Sequence, residues 1–519
     1  MKSLMKAKWV GKANWPALAF LLLMGGCSLA PHYRKPDMGL PDHFKEERAS
    51  SDGAGASANS GYGAWQPARP SEHIERGEWW KIFHDSRLDD YEEQALHNNP
   101  GLQAAVARVK ESRALLQKAR SALFPDVSAG FGPSREKLSA VSQLRPDGVE
   151  IPTETVWRAQ ASASYEVDLF GRVSDSVKAS AAQAEQSEAL FRSVRLALQA
   201  DVAQSYFNLR ELDAELDVYN RAVALRGQAL NLVQRRFDEG EISELDVRRA
   251  QSELATARSE AMTAERLRAV SEHSLAVLLG KIVADFSVER DPLVSVDIRI
   301  PPGLPSSMLE RRPDVAAAER AMAAANARIG VAKSAFFPAL NLTGTAGFES
   351  ASLSDLFKWS SRAFLAGPFA GTALTVPLFD GGRRKGDLAH ARAAYKANVD
   401  DYRQLVLVAF REVEDNLADL RILQDQTLTQ AEAVKASTRA AQLSRTQYQE
   451  GAVNFLDVID ADRTVLQSQR AAAQLAGLQA VSTVNLIRAL GGGWSTAPRI
   501  AADKSTREQK YEENSNVAL

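Results

Sequence analysis

The sequence predicts a mostly α-helical chain, internally duplicated, with four short amphipathic strands. Three observations predict it: a repeat at nearly constant offset, segments of strict two-residue alternation, and proline-free helical stretches of unusual length.

The repeat comes first. "SALFPDV" (121–127) matches "SAFFPAL" (334–340), and "NNPGLQAAVARV" (98–109) matches "RRPDVAAAERAM" (311–322), both 213 residues apart. Downstream, "RRFDEGEISELDV" (235–247) matches "RTQYQEGAVNFLDV" (445–458), and "LLG" (278–280) matches "ALG" (489–491), both 211 apart. The slip of two falls where "DLFGR" (168–172) faces "PLFDGGR" (377–383). Four anchors in one order mean that one long supersecondary unit occurs twice. The repeats are placed at 76–297 and 298–495, after a segment 27–75 rich in proline, serine and glycine that reads as an extended tether, and before a polar tail 496–519.

Within each repeat, a half-length helix precedes a strand pair. Residues 86–122 read as that helix in the first copy, and Pro125 ends it. In "RAQASASYEVDL" (158–169), Ala159, Ala161, Ala163, Tyr165, Val167 and Leu169 alternate with Arg158, Gln160, Ser162, Ser164, Glu166 and Asp168. That spacing puts apolar and polar side chains on opposite faces of a strand. A weaker strand is expected at 126–134, and the second repeat adds strands at 339–349 and 369–378. Long helices follow, over 172–279 and 383–490, each folded back at a glycine, Gly240 or Gly451. A stretch of 172–240 without proline is about 100 Å long at about 1.5 Å per residue, beyond globular norms.

Composition narrows the function. A net charge of −2 argues against a nucleic-acid binder, and one cysteine, Cys27, leaves no disulfide framework and no cysteine-rich metal site. Seven scattered histidines, with no pair at ligand spacing, give neither a metal site nor catalytic residues, so the chain is not expected to be an enzyme. Cys27 ends a basic, then apolar leader: Lys2, Lys6, Lys8 and Lys12 precede "ALAFLLLM" and "GGC". The leader 1–26 reads as a cleaved signal peptide. Gly25 and Gly26 before Cys27 resemble a bacterial lipobox, which makes Cys27 the lipidated first mature residue; no other cofactor is expected.

Four strands with one oily face cannot close a barrel in lipid, where open edges are excluded. Oligomerisation must therefore close the sheet; two copies give a barrel too tight for a conduit, and three give 12 strands around an aqueous lumen. Together with the paired "FP" before the strands, "DLFGR", "PLFDGG", the "G…LDV" turns and the ending "NLIRALGGGW" (485–494), this resembles the TolC family of outer-membrane factors, on its lipoprotein (OprM/NodT-like) branch.

The resemblance implies a homotrimer whose 12-strand outer-membrane β-barrel, four strands per chain, is continuous with a long periplasmic α-helical barrel. It implies a passive outer-membrane channel of a tripartite efflux pump. The partners would be a periplasmic adaptor (membrane fusion protein), an inner-membrane transporter of RND type and outer-membrane lipid. The location would be the outer membrane of a gram-negative bacterium. The turns at Gly240 and Gly451 would dock the adaptor. Carried over by position, Leu456, Asp457 and Asp460 match the family's periplasmic gate, and Asp246 and Tyr448 its latch; a basic latch residue of some members is replaced by Val453. Asp462, rotated off the gate face, is expected to be solvated. A type I protein-secretion duct is the alternative within the family, and a periplasmic adaptor lipoprotein the one outside it. A single hairpin in β-rich domains is the adaptor pattern, and the duplicated strands argue against it.

Overall fold

The computed structural model describes residues 28–36, 44–46, 78–137, 146, 151–293, 312–366 and 374–492. The elements run α1 (Ser86–Asn98), α2 (Pro100–Ser121), β1 (Asp126–Glu136), β2 (Glu154–Val167), α3 (Arg172–Asp238) and α4 (Glu244–Leu278). The second copy repeats them: α5 (Pro313–Ser334), β3 (Ala339–Ser350), β4 (Arg362–Ala366), β5 (Leu374–Thr375), α6 (Arg383–Gln449) and α7 (Phe455–Ala489). Helices α3 and α6 are each 67 residues long, and α4 and α7 are each 35.

The chain forms two compact units. One comprises residues 1–38, 106–190 and 317–405 and contains the sheet. Its strands are antiparallel in the order β1-β2-β3-β4, with β5 also paired to β3. The register puts Phe131, Ala159 and Phe348 in one row across three strands, with Phe364 opposite Ala346. This face is exposed: Phe131 is 64% and Phe364 82% accessible. The other face is polar and cross-linked. Arg158 on β2 donates to Ser134 Oγ and Glu136 Oε1 of β1 and, at 3.0 Å, to Glu349 Oε2 of β3. Gly347 lies on that polar face opposite Gln160, and a Cβ there would come within 2.6 Å of the Gln160 Cα, so only glycine fits.

Three elements depart from the sequence expectation. The fourth strand, expected at 369–378, is described at Arg362–Ala366 and Leu374–Thr375; residues 367–373 lie outside the described residues. Its pairing with Gly344–Phe348 sets its start, and "RAFLA" shows no apolar-polar alternation that would mark it as a strand. The leading helix, expected as one piece over 86–122, breaks at Asn99. A residue before proline avoids helical geometry, and Asn99 has ψ 118°. Its side chain serves both sides of the break, accepting from Leu102 N–H at 3.0 Å and donating to the Leu278 carbonyl at 2.8 Å. Strand β2 also stops at Val167, because Asp168 turns to accept the Val173 and Ser174 amides, at 3.0 and 2.7 Å, and caps α3. Asp380 does the same for α6, accepting from Gly382 and Arg384 N–H.

The second unit comprises residues 39–105, 191–316 and 406–519. Its core packs Trp79, Trp80, Leu88, Tyr206, Phe207, Val484 and Ile487. One buried cation is fully paired: Arg268 reaches Asp213 at 2.5 Å, Glu272 at 2.6 Å and the Val288 carbonyl at 2.7 Å. Both helical tips lie in this unit.

Candidate functional site at the helical tips

Each long helix ends in the same way. Gly240 donates to the Phe237 carbonyl at 2.9 Å and Glu241 to the Arg236 carbonyl at 2.9 Å. In the second copy Gly451 donates to Tyr448 O at 3.1 Å and Ala452 to Gln447 O at 2.8 Å. These are Schellman caps, and both glycines have φ of 77°. A Cβ at either would meet nothing within 4 Å, so glycine is required by the backbone angle and not by space. The return helices start with different caps. Ser243 accepts from Leu245 N–H at 3.1 Å. Asn454 forms a full capping box with Asp457, whose carboxylate accepts the Asn454 N–H at 3.1 Å.

Beyond the cap, the second return helix divides cleanly. Phe455, Val458 and Ile459 are buried against Val233, Val247, Ala250 and Tyr448. Leu456, Asp457 and Asp460 share the opposite face and are exposed, with Leu456 at 43%. The three expected gate residues therefore lie on one open helix face. Asp460 has Arg463 at 3.6 Å, and Arg463 also pairs with Glu253 of α4. Asp457 has two uses: it is the capping-box acid as well as a charge on this face.

The expected latch is not made within one chain. Tyr448 is 7% exposed, and its hydroxyl has no hydrogen-bond partner. Asp246 pairs with Arg249 at 3.5 Å. The two tips are joined by Arg236, which the sequence reading missed. Its guanidinium lies 4.9 Å over the Tyr448 ring and donates to the Tyr448 and Gln449 carbonyls at 3.4 and 3.3 Å. Those carbonyls end α6, where a cation is favoured by the helix dipole.

Asp462 is a correction. Expected to be solvated, its side chain is 11% exposed and accepts from Arg445 Nε and Nη2 at 3.1 and 2.5 Å. Burial raises its pKa, and Arg445 opposes that rise. A signal was present. Arg445 precedes the turn and Asp462 follows it, within two turns of helix on either side, so the hairpin brings opposite charges to adjacent helices. Cys27 lies outside the described residues.

Among the described residues no group of three or more His, Cys, Asp or Glu could hold a metal ion, and no helix is long and apolar enough to cross a membrane. A sheet with one oily, aromatic-rich face and one polar face is instead the design of a β-barrel wall. Joined to helical hairpins of this length, it defines a subunit of an outer-membrane channel.

The comparisons identify which kind. The family model "Outer membrane efflux protein" matches twice, at residues 92–281 and 304–492, and the chain belongs to that family. It is 33% identical to the probable efflux pump outer membrane protein SepC of Pseudomonas putida strain F1 over 485 residues, covering 93% of this chain and 97% of the relative. It is 31% identical over 477 residues to the cation efflux system protein CusC of Escherichia coli, covering 91% and 97%. Among solved structures, the Neisseria gonorrhoeae MtrE outer membrane channel, in its open state, superposes with a TM-score of 0.74 at 28% identity, covering 90% of this chain and 98% of that one. The protein is an outer-membrane efflux channel component of a gram-negative bacterium.

Proposed function

We propose that three copies of this chain close a 12-strand barrel in the outer membrane and form a passive duct. Small toxic molecules enter it from a periplasmic adaptor and an RND-type inner-membrane transporter. The observation that carries this reading is the sheet itself. Phe131 and Phe364 are exposed on one face, Arg158 is bound to Glu136 and Glu349 on the other, and β1 and β4 end the strand order, their outer edges unpaired among the described residues. An oily face is stable in lipid, and free edges are tolerated there only when another strand pairs with them. The lipid on Cys27 belongs to the same reading, as the anchor of each protomer.

Leu456, Asp457 and Asp460 then form the constriction, as three leucines and six carboxylates around the threefold axis. The exposed tips at Gly240 and Gly451 are the adaptor's docking points. A ring of like charge in a narrow, weakly hydrated aperture attracts cations and repels anions. The test is reconstitution of the purified protein in planar bilayers, with its mass measured in detergent. A trimer with small, cation-selective conductance is expected; a monomer, or a trimer without conductance, overturns the reading. Restored export of small toxic compounds in a channel-deleted strain is the expected cellular result. Rescue of a secreted protein alone would replace small-molecule efflux with type I secretion.

A further inference from the structure

The sheet-bearing unit holds a contact that neither barrel nor gate requires. Residues 28–36 run as an extended strap over α5 and the start of α3. The Ser28 hydroxyl donates to both carboxylate oxygens of Asp175, at 2.7 and 2.9 Å. The Asp175 side chain is fully buried, with Lys178 at 3.0 Å as its other partner. Farther along, Asn326 Nδ2 donates to the Pro31 carbonyl at 2.7 Å, and the Tyr33 hydroxyl to the Glu319 carbonyl at 3.3 Å. Lys35 pairs with Glu319 at 3.4 Å and lies 5.9 Å from the Tyr402 ring centroid.

The receiving surface is shaped for this strap. Gly330 is a helical glycine with no positive φ, so backbone geometry does not explain it. Space does: a Cβ at 330 would run into the Asp175 carboxylate and lie 2.8 Å from the Ala30 Cβ. A buried acid, a missing side chain and two further polar grips converge on one nine-residue segment. Asp175 is the fourth residue of α3, and α3 begins five residues after β2 ends. The grip therefore lies where the chain leaves the sheet.

We propose that Asp175, Gly330, Asn326 and Glu319 form a receptor for the chain's own mature N-terminus. By holding Ser28, the receptor fixes where the acylated residue 27 enters the membrane, beside the foot of β2. This rests on the reading that Cys27 is lipidated. The strap spans both repeats, binding α3 of the first and α5 of the second, so each protomer's anchor and the seam between its repeats are set by one contact.

The test is limited trypsin digestion of the full-length protein extracted from membranes, followed by intact-mass measurement. Arg34 is the exposed cleavage point, since Lys35 precedes a proline. Docked backbone resists proteolysis in proportion to the cost of local opening. In the wild type, cleavage after Arg34 should be slow. Gly330→Leu should speed it about tenfold, corresponding to about 1.4 kcal/mol of lost docking. Ser28→Ala, which cannot disturb helix packing, should speed it about threefold. Unchanged cleavage in both variants, with the lipid still attached, overturns the receptor. Absence of the lipid mass on an otherwise protected strap overturns the anchor reading and leaves the docking of the strap intact.

Discussion

The two helical tips share a skeleton and differ in charge. Both end in a Schellman glycine at φ 77°, both restart with a polar cap, and both expose a leucine at the matched position, Leu245 and Leu456. Then they part. Asp460 is matched by Arg249, which neutralises Asp246 in the first tip; Arg445 and Asp462 are matched by Gln234 and Gln251. Duplication kept what the backbone demands, since φ and capping allow few residues. It released the side chains of one copy to build a charged face, backed by a half-buried ion pair.

The largest expected effect tests the charged face. Asp457→Asn with Asp460→Asn should raise single-channel conductance severalfold and weaken block by divalent cations, while Asp246→Asn leaves both nearly unchanged. Asparagine is the right substitution because its side-chain oxygen can still accept the Asn454 N–H. Alanine would add about 1 kcal/mol of cap loss and blur the result. Equal conductance for the two tips in bilayer recordings would remove the assignment of the gate to the second copy.

The next effect concerns the pair behind that face. Asp462→Ala removes the two hydrogen bonds from Arg445 and should lower stability by about 2 kcal/mol. The matched Gln251→Ala, on an exposed side chain, should change stability by less than about 0.5 kcal/mol. Thermal melts of the detergent-extracted protein measure both, and similar losses would mean that the tips are stabilised alike.

The last effect lies higher on the same helices and depends on pH. Glu211 on α3 is matched by Ile422 on α6, and a Cβ at Gly477 would collide with the Glu211 side chain. Burial, helped by Glu215, pushes the Glu211 pKa from 4.5 up to about 7. The folded state thus binds the proton more tightly than the unfolded one. Its contribution is full below about pH 4.5 and is lost as pH rises through about 7. Glu211→Gln should therefore stabilise the protein by about 2 kcal/mol at pH 8 and change little at pH 4. A pH-independent difference would show that Glu211 is solvated in the assembled channel.

Much of this was legible because it is local or periodic. Alternation in 158–169 gave the two faces of β2, the turn glycines gave the tips, and the 211-residue offset gave the duplication. Leu456, Asp457 and Asp460 fall on one exposed face because helical spacing alone places them there. Tertiary structure decided everything that depends on a second element. Strand β4 starts where β3 offers it partners, and Asp462 is half-buried where Arg445 reaches it across the turn. Tyr448 lies under Arg236 with its hydroxyl unpaired, and Gly330 is glycine because Ser28 and Asp175 meet beside it. Periodicity is written in a single segment, whereas burial and pairing are properties of two segments at once. The sequence by itself therefore determined the elements and the exposed face of the gate, and only the tertiary structure decided which charges that face rests on.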